Sequence, residues 1–335
     1  MKYANPDPFR NFNTYKIDPV TEIRNAGIVT AGDVYWVSAT GDSNHTTRTL
    51  ALGKDVVKIG IQEAVNETVS DHNDYVLVIP QDSNGSWGLG TALDIDEDRV
   101  HLLSVGYTKT KNGYSNTILG STGTTPDTEI VAVTGNAVEV GGFHVLGTVG
   151  THAGGTLTNG VAYVNAHEFW AHDSFFELSQ NANKEPYVLT FGGTKHGARF
   201  DDCSFAVTGT GDDEGASGVV SLGAGGKGYE FHNCVISTRA GSTTSKLIVS
   251  GTGSKDYVLF KNCDFINQDV SIAVASAITG SVTVDHPVLC MSCSVVGCAQ
   301  LGTDPSVYLT PAASGTTAAV YNPFVAIGTA AIAAK

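Results

Sequence analysis

Five short stretches of this 335-residue chain place chemically capable side chains close together. Lys195-His196-Gly-Ala-Arg199-Phe-Asp201-Asp202 gathers bases, a guanidinium and two carboxylates, the raw material of polysaccharide cleavage, which needs two carboxyl groups at a fixed separation. Asp94-Ile-Asp96-Glu-Asp98 has the acidic spacing that opens a Ca²⁺ loop, but Arg99 stands where that loop needs Gly and Val105 where it needs Glu. Cys290-Met-Ser-Cys293 with Cys298 has the look of a metal knuckle without an evident fourth ligand. Gly223-Ala-Gly-Gly-Lys227-Gly228 lacks the Ser or Thr after Lys, and the following helix, that a phosphate loop requires. Asp212-Asp213-Glu214 reads as a solvated loop tip.

What positions these residues is a repeat. A first apolar column runs Val140, Trp170, Phe200, Phe231, Phe260, Cys290, at spacings of 30, 30, 31, 29 and 30. A second (Phe143, Asp173, Cys203, Cys234, Cys263, Cys293) and a third (Val145, Phe175, Phe205, Ile236, Phe265, Val295) keep step with it. A fixed period in this range implies a solenoid whose units bury their apolar faces only against their neighbours. Apolar alternation around a polar turn, in units rich in Gly, Thr, Ser and Val, implies strands rather than paired helices. Further short strands are expected at Ile130–Val133, Val161–Val164, Val188–Phe191, Val219–Leu222 and Leu247–Ser250. The fold expected is all-β: a single-stranded parallel β-helix of about 30 residues per coil.

The repeat reassigns most of the chemical candidates. His172, Asp202, Asn233, Asn262 and Ser292 fall at one corner, where Asn and Asp tolerate a left-handed backbone. Cys203, Cys234, Cys263 and Cys293 point inward as small apolar groups, and Phe200, Phe231 and Phe260 form a structural ladder. Arg199 shares an outward column with Glu230 one coil on, so a cross-strand ion pair accounts for both. That column, read as Glu139, Phe169, Arg199, Glu230, Leu259, Leu289, ends in two leucines suited to a partner surface. No catalytic residue, cofactor or metal is assigned.

Composition narrows the partners. With 19 Lys+Arg against 33 Asp+Glu the net charge is −14, which disfavours nucleic acid. No apolar run is long enough to span a membrane, and the first residues lack an apolar signal core, so cytoplasmic synthesis without export is expected. Residues 1–31 read as an extended arm whose Phe9, Phe12 and Tyr15 are candidate anchors. Residues 32–300 form the β-helix, with a capping strand and helix over 32–70 (an apolar stripe marks Asp55–Val69) and coils over 75–300. Residues 301–335, rich in Ala and Gly, read as an irregular tail. Leu102, Val105 and Tyr107 match the repeat frame 38 residues early, with the excess assigned to the loop Lys109–Pro126.

The order "IQEAV" (61–65), "YVLVIP" (75–80) and "ALDIDEDRVHLLSVGY" (92–107) resembles the opening of the pectate-lyase-like right-handed β-helix superfamily. "GDVYWVSATGDSN" (32–44) resembles a subgroup found among tailed-phage virion proteins. The resemblance implies a helical cap followed by stacked coils, on a superfold that hosts lyases, hydrolases, phage spikes and inert structural modules. The superfamily's Asn-Thr-Asp and Arg-Ile-Lys hydrolase motifs have no counterpart here. The expectation drawn from it is a structural virion protein without enzymatic activity. It would decorate or cement a capsid as a homo-oligomer, most simply a trimer, bound to the major capsid protein or another virion protein. The alternative is a tail-spike-type module that binds or cuts cell-surface glycan, which requires exposed aromatic platforms and paired acids. Of the three tryptophans, Trp36, Trp87 and Trp170, the repeat frame puts Trp170 inside.

Overall fold

A computed structural model describes residues 32–42, 44–53, 55–81, 86–105, 117–121, 129–149, 160–180, 187–193, 195–208, 218–223, 226–240, 245–250, 257–269, 272–280, 288–302 and 307–310. Phe9, Phe12, Tyr15 and Asp212–Glu214 lie outside them.

Among the described residues every strand pairing is parallel, and the strands sort into three sheets of eleven, eight and seven. Successive members of a sheet come from successive coils, so the chain winds as a right-handed parallel β-helix. The seven-stranded sheet contains the short strands expected near 131, 162, 189, 220 and 248. The inner column of the long sheet is Val76, Leu102, Val140, Ala171, Phe200, Phe231, Phe260 and Cys290, all in register. Phe200, Phe231 and Phe260 stack at centroid distances of 4.9 and 4.8 Å. Offset aromatic stacking of this kind adds about 1 kcal/mol per pair beyond burial.

At the corner after this sheet the backbone turns left-handed at Asp173, Asp202, Asn233, Asn262 and Ser292, with φ between 50° and 55°. Asn262 donates to Asn233 across the corner at 3.1 Å. Cys203, Cys234 and Cys263 are buried one residue later, as expected of small apolar filler.

One coil departs from the expected frame. Trp170 pairs with Arg199 and Ala171 with Phe200, so the columns pass through Ala171, Asp173, Ser174 and Phe176, each one residue beyond the positions assigned from the repeat. His172 is therefore not at the corner, Phe169 is buried, and Trp170 points outward with 40% of its surface exposed. A one-residue shift exchanges the faces of a strand.

The N-terminal part also differs from expectation. The stripe over 55–69 divides into a two-residue strand, Val57–Lys58, and a short helix, Ile61–Val65, and a separate helix covers His45–Leu52. Leu102 does pair with Val140, but the partner of Val145 is Leu119 rather than Tyr107. The added length therefore lies between Ser104 and Ile118. At the other end, Val307–Thr310 adds an eleventh strand to the long sheet inside the segment read as irregular tail.

Candidate functional site

The outer face of the long sheet carries the densest chemistry. Strand alternation puts Glu139, Trp170, Arg199 and Glu230 in one outward column and Gly141, His172, Asp201 and His232 in the next. Two linked clusters result.

In the first, Glu139 is clasped by two histidines. His101 Nδ1 lies 2.5 Å from Oε2 and His172 Nε2 lies 3.0 Å from Oε1. Burial alone would raise the Glu139 pKa, but hydrogen bonds from His101 and His172, and their charge, hold it at about 2. His172 moves the opposite way. Burial would lower it, whereas Asp173 (3.2 Å from Nδ1) and Glu139 raise it to about 9. The imidazole reaches Glu139 by lying over Gly141, where an added Cβ would come within 2.4 Å of the ring. Tyr75 stacks on His101 at 4.2 Å and closes the N-terminal side.

The second cluster centres on Asp201. Arg199 donates to it through Nε at 2.7 Å and a terminal nitrogen at 3.0 Å, and the Trp170 indole N–H donates at 2.8 Å. His232 Nδ1 lies 3.5 Å away and its Nε2 lies 3.2 Å from a Glu230 oxygen without hydrogen-bond geometry, while Glu230 accepts from the Tyr257 hydroxyl at 2.7 Å. The cross-strand Arg199–Glu230 ion pair expected from the sequence is thus replaced by a pair within one strand. The two residues on from Arg199 put Asp201 on the same face, so the fork closes there. The indole ring of Trp170 rests 4.6 Å from His172, which joins the two clusters.

Chemically, this face presents an aromatic plate bordered by ordered carboxylates and imidazoles. Its acids are committed acceptors: Glu139 is ionised, and Asp201 receives several donors at once. A general acid for glycoside cleavage needs a carboxyl group kept protonated near neutral pH, the reverse of Glu139.

The other candidates resolve into structural roles. The backbone N–H and C=O of Asp94 exchange bonds with the Gln62 side chain on the Ile61–Val65 helix at 2.8 and 3.0 Å, and the Asp98 carboxylate accepts from the backbone and side chain of Asn136. His196 forms an isolated parallel bridge with Lys227, whose backbone N–H donates to Lys195 O, and the His196 ring stands 4.9 Å from His167. Asp33, His72 and Asp74 bring ligand atoms within 4.8 Å of one another. Asp74, however, is already occupied by the backbone N–H groups of Asp33 and Val69 and by His72, which ties a turn. Leu259 and Leu289 pair in register on the outer face, both half-buried.

Glu139, His101, His172 and His232 were not assigned as a group from the sequence, and Trp170 was assigned inward. A usable signal was present in His172-Asp173-Ser174: Asp is the better left-handed corner residue, and setting it there shifts the coil into its observed frame.

No protein-family model matches the chain, and no curated protein matches it. Among solved structures, a crystal structure of a pectin methylesterase mutant in complex with a hexasaccharide aligns over 78% of each chain, at 10% identity and a TM-score of 0.44. Likeness at that level says nothing of what this chain does.

Proposed function

We propose that the protein is a glycan-binding β-helix that holds carbohydrate on the outer face of its long sheet without cleaving it. The supporting observation is Trp170, exposed on that face with its indole N–H fixed to Asp201 and its ring braced on His172. An aromatic plate ordered before binding stacks on a sugar ring at little conformational cost. The Arg199 side chain, about half exposed beside the ring, borders the plate with a further polar group. The ionised state of Glu139 does not suit it to act as the general acid of glycoside cleavage. The test is affinity electrophoresis through gels carrying capsule or lipopolysaccharide, alongside a reducing-end assay. Retardation that disappears in Trp170→Ala is the expected result. Unchanged migration of the parent protein on all such gels sinks the binding reading, and released reducing ends sink its non-cleaving part.

A second reading keeps the protein as a structural virion component, homo-oligomeric and bound to a capsid or tail protein. The in-register pair Leu259 and Leu289 supports it, because stacked leucines on an outward column suit an apolar contact. Imaging purified particles for the protein tests this reading, and its absence from both capsids and tails removes it.

A further inference from the structure

Trp170 has a counterpart further along the same face. The outward column runs in register from Trp170 to Arg199, Glu230 and Leu259, and Tyr257 stands just before the strand Val258–Lys261 that carries Leu259. Tyr257 is partly exposed, and its ring lies beside the Gly228 corner, where an added Cβ would meet it at 3.8 Å. Its hydroxyl donates to Glu230 at 2.7 Å, as the Trp170 indole N–H donates to Asp201 at 2.8 Å. The bond to Glu230 also raises the phenol pKa, which keeps the hydroxyl a donor. Each ring is therefore tied by its one polar atom to a carboxylate of the outer face, and its orientation is set before any ligand arrives. The strands of Trp170 and Glu230 are two steps apart, about 10 Å, and Tyr257 reaches back to Glu230 from one step beyond. A single sugar ring cannot cover both plates.

We propose that Tyr257 is a second stacking subsite of the Trp170 surface, so that this face takes an internal stretch of a linear polysaccharide, laid along the solenoid axis, rather than a single terminal sugar. The inference rests on the glycan-binding reading and specifies which part of a glycan is held. Once one sugar stacks on Trp170, a second sugar of the same chain reaches Tyr257 without a new loss of translational freedom, so affinity rises with chain length until both plates are filled. Arg199, half exposed between them, lies along the path of such a chain.

The test uses the full protein on the capsule or lipopolysaccharide gels described above, with fragments of the same polysaccharide, cut by mild acid and sorted by size, as competitors. Fragments of roughly four sugars or more should release the parent protein at concentrations about a hundredfold below those needed for the monosaccharides. Tyr257→Ala should weaken competition by the long fragments by up to about tenfold and leave that by the monosaccharides unchanged. Tyr257→Phe keeps the plate but loses the tie to Glu230, so it should fall between the two. Monosaccharides that compete as well as long fragments, or a folded Tyr257→Ala indistinguishable from the parent on long fragments, overturn the second subsite and leave binding at Trp170 standing. A parent protein that no gel retards sinks the glycan-binding reading and this inference with it. The fragment-length comparison is made on the parent protein, so a variant that fails to fold does not blur the result.

Discussion

The three coils that place Phe200, Phe231 and Phe260 inside and the coil that carries Trp170 follow different rules. The regular coils stack identical rings and thiols, and their stability comes from apolar contact at each step. The Trp170 coil puts Ala171 in the aromatic column and Ser174 in the cysteine column, and fills the core from Phe169 and Phe176 instead. Its large ring goes outside, into a network of imidazoles and carboxylates. The departure from the repeat and the candidate site coincide. The coil whose largest ring faces outward is thus the one that carries the candidate site.

The regular side can be broken first. Phe231→Ala removes the centre of the Phe200–Phe231–Phe260 stack, where the ring is fully buried and flanked on both sides. The expected loss is about 3–5 kcal/mol, read by urea denaturation, and flat across the carboxylate and imidazole pH range because ring-on-ring contact carries no charge. A loss below about 1 kcal/mol would show that the ladder is not what holds these coils.

On the irregular side the expected signature is a pH dependence. Glu139 falls from 4.5 to about 2 on folding, so its share of stability is present above 4.5 and lost as pH drops toward 2. His172 rises from 6.5 to about 9, so its share is full below 6.5 and lost as pH climbs through 9. The Glu139–His172 contact enters both shifts and is counted once, although His101 is the larger favourable cause for Glu139 and Asp173 for His172. Thermal midpoints should therefore peak between these limits and fall on both sides. His172→Asn should remove the alkaline fall and leave the acid one, since His101 still holds Glu139. An unchanged alkaline limb in that variant would separate the pH response from this cluster.

The corner column gives a smaller and sharper comparison. Asn262 holds φ at 54° with its side chain bonded to Asn233. Asn262→Ala should cost about 1–2 kcal/mol, and Asn262→Gly distinctly less, because glycine adopts this backbone without a Cβ clash. Equal losses for the two would assign the cost to the side-chain bond rather than to the backbone.

Much of this was legible in the sequence. The period of about 30 fixed the architecture because Phe200, Phe231 and Phe260 recur with their polar corners, and the corner and cysteine columns followed from it. The candidate site was harder to read. The Trp170 coil contains Phe169, Trp170, Phe175 and Phe176, and with large apolar residues at adjacent positions two frames one residue apart satisfy the period equally well. Matching ring to ring chose the wrong one. Side-chain closure is also invisible in a pattern: Arg199 had both Asp201 and Glu230 within reach, and fork geometry selected the nearer. The cap was misread because Val56, Val57, Ile59 and Ile61 suit a helical stripe, although Val57–Lys58 are taken up by pairing with Trp36–Val37.

The smallest stability effect belongs to the residue on which the proposed glycan binding rests. Trp170 is the outward counterpart of the Phe stack, with much of its ring in solvent and one indole bond to Asp201. Trp170→Ala leaves that carboxylate with both Arg199 donors, so no buried charge is stranded, and the cost should stay within about 1 kcal/mol. Retention on glycan gels should nonetheless vanish, since a lost stacking surface is felt by the ligand and hardly by the fold. Trp170→Phe sharpens the point. It keeps a ring but loses the N–H that orients it, so retention should weaken without disappearing. If Trp170→Ala instead unfolds the protein as Phe231→Ala does, the two coils obey one rule after all, and the outward ring is a packing element rather than a binding platform.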